Sequence, residues 1–166
     1  MLHKKLLSLI KFNELTGLWS WKYRPTAKKE WNTRYAHKIA GTTLKNGYVH
    51  IRIDGKLYYA HRLAWFYMTG DWPKEEIDHI DGNPSNNMWE NLREATCSEN
   101  LCNSKKKIDN TSGHKGIYFY EKRNTWYAII HKNGKRVFYK AFKTKQDAIL
   151  ARNNVIFQYH KDFANA

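Results

Sequence analysis

The sequence predicts an α+β fold, in which a central ββα unit is followed by a three-stranded antiparallel sheet with one packed helix. Two observations favour this class. Short strand-like patterns are separated by Gly- and Asn-rich turn signals, which are typical of antiparallel strands. Helical patterns with start or stop signals follow three of these strand groups. The length of 166 residues is suited to one or two small domains.

The first 46 residues give weak patterns. Residues 17–21 are consistent with a strand, and residues 31–40 predict no particular element. Residues 1–12 contain lysines and leucines, but their apolar run is short and no small-residue cleavage site follows, so no secretory signal is expected. The mean hydropathy of −0.80 and the lack of a long apolar run argue against a membrane-spanning helix.

A clear hairpin is predicted over residues 47–60. Its strands flank Asp54-Gly55, and glycine supplies the positive φ that a two-residue turn requires. The apolar run 61–69 then predicts a short buried helix, ended by Gly70.

The centre of the chain predicts strand, loop, strand and helix in that order. Residues 76–80 and 91–95 have short strand patterns, and residues 81–87 between them are dense in turn-forming types. Thr96, with a glutamate three residues later, is a capping-box signature. A helix over about 97–105 should follow.

The last third predicts a sheet and a helix. Three strand-like runs occupy residues 117–120, 126–131 and 136–142. Asn133-Gly134 is a hairpin signal between the last two runs, and helical spacing begins after Thr144. This helix should pack across one face of the three strands.

Strand alternation predicts the two faces of that sheet. The side chains expected to face the helix are Ile117, Phe119, Trp126, Ala128, Ile130, Val137, Tyr139 and Phe142. Those expected to face outward are Tyr118, Tyr120, Tyr127, Ile129, His131, Arg136, Phe138 and Lys140. An outward face so rich in aromatic and basic side chains favours a binding surface, which could enter a DNA groove.

Charge points to a nucleic-acid partner. The chain has 29 Lys+Arg and 15 Asp+Glu, a formal net charge of +14. Residues 104–166 alone hold 14 Lys+Arg and 4 Asp+Glu. Such an excess favours a polyanion, and the lysine run 105–107 could follow a phosphate backbone. The two cysteines cannot form a disulfide scaffold or a structural zinc site, which is typical of a cytoplasmic protein.

The central loop and its flanks hold the residues for hydrolytic chemistry. Asp78 and His79 end the first strand, Asn91 precedes the second, and Asn100 lies in the helix. Carboxylate and amide oxygens suit Mg²⁺ or Mn²⁺, and a histidine is the natural general base near neutral pH. The set suggests metal-assisted phosphodiester hydrolysis.

This pattern, in the setting IDHIDGNPSNNMWENLREATCSEN, resembles the HNH endonucleases of the ββα-metal type, and most closely their phage homing-endonuclease branch. The resemblance implies that Asp78 and Asn100 are metal ligands and that His79 is the general base. It implies that Asn91 holds either the loop or the His79 imidazole in place. Asn103 is the alternative to Asn100.

Two further resemblances divide the chain. Residues 16–70 look like the N-terminal half common in these phage proteins. Residues 112–163, with SGHKGIYFY and WYAII, look like an AP2-type DNA-binding domain, which lays its sheet into the major groove. The predicted organisation is an HNH domain over residues 1–104, with its ββα core at about 76–104, then a basic linker over 105–111 and an AP2-like domain over 112–166.

The sequence therefore predicts a site-selective, homing-type, monomeric nuclease that acts on double-stranded DNA, with no obligate protein partner. The residues expected to contact DNA, besides the outward aromatic and basic set, are Arg62, Arg93, Lys105, Lys106, Lys107, Lys115, Lys122 and Arg123. For Arg62, a phosphate contact and a different role are equally favoured. For Arg93, a phosphate contact and a structural salt bridge are equally favoured. A non-catalytic AP2-like regulator and an RNA-binding protein are the alternative functions.

Overall fold

The computed structural model describes residues 2–103, 110–160 and 163. It divides into two compact units, Met1–Glu94 and Ala95–Ala166. The second unit therefore includes the helix that follows Thr96, which the sequence assigns to the HNH domain. Most of the expected linker, residues 105–109, lies outside the described residues.

Three small sheets lie in the described part of the first unit. Its elements are α1 (His3–Leu9), β1 (Ile10–Phe12), β2 (Trp19–Trp21), α2 (Lys29–Tyr35), β3 (Thr42–Thr43), β4 (Val49–Ile53), β5 (Lys56–Tyr59), α3 (Ala60–Thr69), β6 (Glu76–His79) and β7 (Leu92–Ala95). The sheets are β1-β2, β3-β4-β5 and β6-β7. The predicted hairpin is present as β4-β5, and both turn residues, Asp54 and Gly55, have positive φ.

The core of the first unit explains why its early elements were hard to predict. Leu6 of α1 and Ile10 of β1 are fully buried beside Leu63 of α3, but each short element contributes too few apolar residues to show a period. Helix α2 buries no residue at all. It is held instead by Trp31, whose ring lies 5.7 Å from that of Trp21.

Among its described residues, the second unit has a three-stranded sheet and two α-helices. Its elements are α4 (Cys97–Asn103), β8 (Ile117–Tyr120), β9 (Thr125–Lys132), β10 (Lys135–Phe142) and α5 (Lys145–His160). The strand order is β10-β9-β8, and α5 contacts all three strands. None of the helices in the described part of the chain is long and apolar enough to cross a membrane.

A bulge in β10 corrects part of the predicted face assignment. The register shifts between Arg136 and Phe138, so that Phe138 pairs with the buried Ile130 and packs into the core. An extra residue at a bulge reverses the alternation beyond it. Consequently Phe138 and Lys140 lie on the helix side, where outward positions were predicted, and Tyr139 faces outward.

Candidate functional site

The loop between β6 and β7 is organised around Asn91. The Asn91 side chain is nearly buried, its Oδ1 accepts a hydrogen bond from the Asp81 backbone N–H (3.0 Å), and its Nδ2 donates to Asp81 Oδ1 (3.0 Å) and to the Asn86 carbonyl (2.8 Å). One amide thus joins the start of the loop to its end. The resemblance implied that Asn91 holds either the loop or the His79 imidazole. These contacts are to the loop.

The Asp81 carboxylate stabilises the same loop by accepting hydrogen bonds from other loop residues. Its Oδ1 accepts from the Asn83 backbone N–H (2.8 Å) and its Oδ2 from Asn86 Nδ2 (2.7 Å). Burial raises the pKa of this carboxyl, but the hydrogen bonds from Asn86, Asn83 and Asn91 outweigh burial and hold the pKa below its usual range. Asp81 therefore shapes the turn in its ionised form.

His79, at the end of β6, is the buried base candidate. Its side chain is 5% exposed, and its Nε2 lies 3.3 Å from Asn87 Oδ1. Burial lowers the pKa of His79, and the Asn87 hydrogen bond together with the charges of Asp81 and Asp78 only partly opposes that shift. The imidazole is therefore neutral near pH 7, the form that can accept a proton.

A second neutral histidine lies beside it. The ring of His61, on α3, is centred 5.0 Å from that of His79, and Tyr48 lies 5.4 Å from His61. Burial, reinforced by nearby His79, Arg62 and His50, lowers the pKa of His61 to about 3. His61 therefore places no positive charge next to His79 and acts as part of the wall of the site.

Asp78 is held in an ion pair. It is 4% exposed, and its Oδ2 accepts from Arg93 Nε at 2.9 Å and Nη2 at 2.8 Å. The sequence allowed either a structural salt bridge or a phosphate contact for Arg93. The contact with Asp78 is the salt bridge.

The third motif position lies on α4. The predicted capping box is present, since Glu99 Oε2 accepts from the Thr96 backbone N–H at 2.9 Å and Thr96 Oγ1 accepts from that of Glu99 at 3.3 Å. Asn100 is half-buried, whereas Asn103 is 7% exposed. Because Asp78, the other expected ligand, is itself 4% exposed, burial does not decide between the two asparagines.

The predicted ligands fit a hard divalent cation by their chemistry. Asp78 supplies a carboxylate and Asn100 an amide oxygen, both suited to Mg²⁺ or Mn²⁺. No cluster of three or more His, Cys, Asp or Glu side chains with metal-binding geometry occurs among the described residues. A site with a single acidic ligand would leave most coordination positions to water and phosphate, as is usual for Mg²⁺.

Two of the basic side chains predicted to contact DNA donate hydrogen bonds to backbone carbonyl groups. Arg62 donates through Nη1 to the Glu75 carbonyl (3.1 Å) and through Nη2 to the Pro73 carbonyl (3.3 Å). Lys115 Nζ donates to the carbonyls of Leu101 (2.6 Å) and Cys102 (2.8 Å), at the C-terminal end of α4. Lys115 thus caps a helix end, where a cation is favourable.

Five other lysine and arginine residues were also predicted to contact DNA, and the structure describes two of them. Lys122 and Arg123 lie on an exposed turn between β8 and β9. Lys105, Lys106 and Lys107 fall outside the described residues.

The outward face of the second unit carries a row of side chains across all three strands. The Arg136 guanidinium lies 4.3 Å from the Tyr139 ring centre, Tyr139 stacks on Tyr127 at 5.1 Å, and Tyr127 lies 6.5 Å from Tyr120. We call Arg136, Tyr139, Tyr127 and Tyr120 the outer row. Tyr139 was missed because strict alternation cannot reveal a bulge.

Asn87 is the other functional candidate that the sequence interpretation missed. In the sequence it is, like Asn83 and Asn86, one of the turn-forming residues of the segment 81–87. Asn83 and Asn86 accept from the backbone N–H groups of Ser85 and Met88. Asn87 donates to the Ser85 carbonyl and also contacts His79, and no local sequence signal separates these three asparagines.

Comparisons with known proteins match the part of the chain that holds the candidate residues. Residues 58–102 match the model of a family described as HNH endonuclease, and this segment contains Asp78, His79, Asn91 and Asn100. Protein 3.8 of Escherichia phage T7 is 42% identical over 77 residues, which are 46% of this chain and 64% of that protein. The chain thus spans less than two thirds of that relative.

One solved structure also aligns over most of the chain. It is titled as DNA binding and cleavage by the HNH homing endonuclease I-HmuI. The alignment has a TM-score of 0.44 and 20% identity, and it covers 92% of this chain and 86% of that one.

Proposed function

We propose that this protein is a metal-dependent DNA endonuclease of the HNH class that hydrolyses phosphodiester bonds with His79 as its general base. The observation that carries this proposal is a buried, neutral histidine at the mouth of a loop fixed by Asn91, within the segment that matches the HNH endonuclease family. A neutral imidazole beside a reacting phosphate can take a proton from the attacking water.

The remaining site residues have separate tasks. Asp78 and Asn100 would hold one divalent ion, Mg²⁺ or Mn²⁺, while Arg93 keeps the Asp78 carboxylate in position. When bound, such an ion supplies charge stabilisation at the scissile phosphate and the leaving oxygen. Asn91 keeps the loop next to His79 closed, so that the base does not move during the reaction.

Site selection is assigned to the second unit. Residues 95–166 hold 14 Lys+Arg and 5 Asp+Glu, and the outer row adds aromatic surface to that charge. Basic side chains bind phosphates, and aromatic ones contact sugars and thymine methyl groups in a groove. We propose that this face binds double-stranded DNA in the AP2 manner, and that the whole chain is a monomeric, homing-type enzyme acting in the cytoplasm.

The experiment that tests the function is cleavage of a DNA pool that includes the genome of the source organism. Cleavage in Mg²⁺ or Mn²⁺ that EDTA abolishes is expected, and sequencing of both product strands defines the site. The second candidate is a non-catalytic DNA-binding regulator, favoured by the charge of residues 95–166. It would bind duplex DNA in a salt-sensitive way and cut under none of these conditions.

The face assignment makes a separate prediction about DNA affinity. Arg136 and Lys140 both lie on β10, but Arg136 belongs to the outer row and Lys140 shares the helix side with Ala128. Arg136→Ala should weaken DNA binding by about tenfold and reduce the salt slope by about one, as expected for a lost phosphate or base contact. Lys140→Ala removes the same charge and should weaken binding by about twofold or less.

Fluorescence anisotropy with labelled duplex at several salt concentrations measures both variants. Equal losses would show that net charge, and not the outer row, determines affinity. A larger loss in Lys140→Ala would place the DNA on the opposite face.

A further inference from the structure

Asn87 is buried at 3% exposure and makes two directional side-chain contacts. Its Oδ1 lies 3.3 Å from His79 Nε2, and its Nδ2 donates to the Ser85 carbonyl at 3.2 Å. An asparagine amide has one accepting end and one donating end. The Ser85 carbonyl can only accept, so it fixes which end of the amide faces His79.

The proton position on His79 follows from this orientation. If the amide were reversed, its oxygen would face the Ser85 carbonyl oxygen, and two acceptors would be opposed in a buried place, which is costly. With the amide as it stands, Asn87 Oδ1 needs a donor, and His79 Nε2 must carry the hydrogen. A neutral imidazole with hydrogen on Nε2 has its lone pair on Nδ1.

We propose that Asn87 is a positioning residue that selects the Nε2–H tautomer of His79 and so makes Nδ1 the proton-accepting nitrogen. This proposal deepens the proposed function and rests on it for its catalytic meaning. The tautomer itself is a property of the folded protein, and it is measurable whether or not the protein cuts DNA.

The backbone behind Asn87 is braced by the N-terminal segment. A Cβ added to Gly17, which has φ +69°, would lie 2.5 Å from both Asn87 C and Met88 N, so glycine is required for this close approach. The Glu14 carbonyl also accepts from the Trp89 N–H at 2.9 Å. The turn that contains Glu14 and Gly17 therefore packs against the backbone at Asn87 and restricts its movement.

The alternative residues for this role make other contacts. Asn83 Oδ1 accepts from the backbone N–H and the hydroxyl of Ser85, and Asn86 Nδ2 donates to Asp81. Both asparagines therefore stabilise the loop itself. This difference gives a matched control, because Asn83 is an exposed residue of the same loop and the same type.

The test is the ¹⁵N spectrum of the His79 imidazole in the full chain at pH 8, combined with cleavage kinetics. Wild type should show the Nε2–H tautomer. Asn87→Leu, which keeps the number and branching of the side-chain heavy atoms but removes the acceptor, should show a mixture of tautomers. Its kcat should fall by about tenfold or more, with KM for DNA changed by less than about twofold. Asn83→Ala removes no contact to His79 and should retain the Nε2–H tautomer.

The possible outcomes separate the proposal from the nuclease assignment. Hydrogen on Nδ1 in the wild type overturns the proposal, even if the variants fail to fold. An unchanged tautomer in folded Asn87→Leu also overturns it. A wild type that shows the Nε2–H tautomer but cuts no DNA in Mg²⁺ or Mn²⁺ contradicts the nuclease function and leaves the positioning contact established.

Discussion

Replacing His79 with alanine is expected to slow DNA cleavage by at least about 100-fold while DNA affinity stays within about twofold. A positioned general base contributes about 10² to 10⁴ to the rate of a proton-transfer reaction, and His79 is proposed to be that base. Its ring is 5% exposed, so it offers little surface for DNA binding. Single-turnover cleavage measures the first quantity, and anisotropy at the same salt concentration measures the second.

A matched histidine variant controls for the substitution itself. His37 is exposed and adopts φ +65°, a left-handed conformation that asparagine tolerates, so His37→Asn should fold and cut as wild type. Cleavage by His79→Ala at the wild-type rate would remove His79 from the mechanism. Loss of DNA binding together with cleavage would assign His79 a structural role, and circular dichroism of the variant would show whether the first unit is still folded.

Local sequence signals predicted much of the fold. The hairpin turn at Asp54-Gly55, the glycine that ends α3 and the capping box before α4 each depend on neighbouring residues, and each is present. The central order of strand, loop, strand and helix was predictable for the same reason. Helix α2 was not, because it buries no residue and its stability depends on the distant Trp21.

Site chemistry was predictable only in part. The residue types at 78, 79, 91 and 100 suggested hydrolysis, and the HNH family match spans all four. Which asparagine contacts His79 depends on tertiary structure, since the backbone at Asn87 packs against Gly17, 70 residues away in the sequence. Similarly, Lys115 counts as a free charge in the sequence but caps α4 in the folded protein.

The ion pair between Arg93 and Asp78 gives the second large prediction. Arg93→Met should lower the free energy of unfolding of the first unit by about 3–5 kcal/mol. The substitution leaves the Asp78 carboxylate, which is 4% exposed, without its guanidinium partner in a poorly solvated place. Urea unfolding followed by tryptophan fluorescence reports on this unit, because six of the seven tryptophans lie within Met1–Glu94.

A double substitution separates the two roles that the sequence allowed for Arg93. If the guanidinium mainly neutralises Asp78, Asp78→Asn combined with Arg93→Met should be more stable than Arg93→Met alone, because the unpaired buried charge is gone. A phosphate clamp predicts the opposite pattern: Arg93→Met would keep the stability of the wild type and lose only cleavage and DNA affinity. A loss of stability by itself slows cleavage at high temperature. Cleavage and DNA binding should therefore be compared well below the unfolding transition of the least stable variant. An Arg93→Met variant that is fully folded there and still binds DNA, but cuts slowly, would show that the ion pair holds Asp78 in the geometry that catalysis requires.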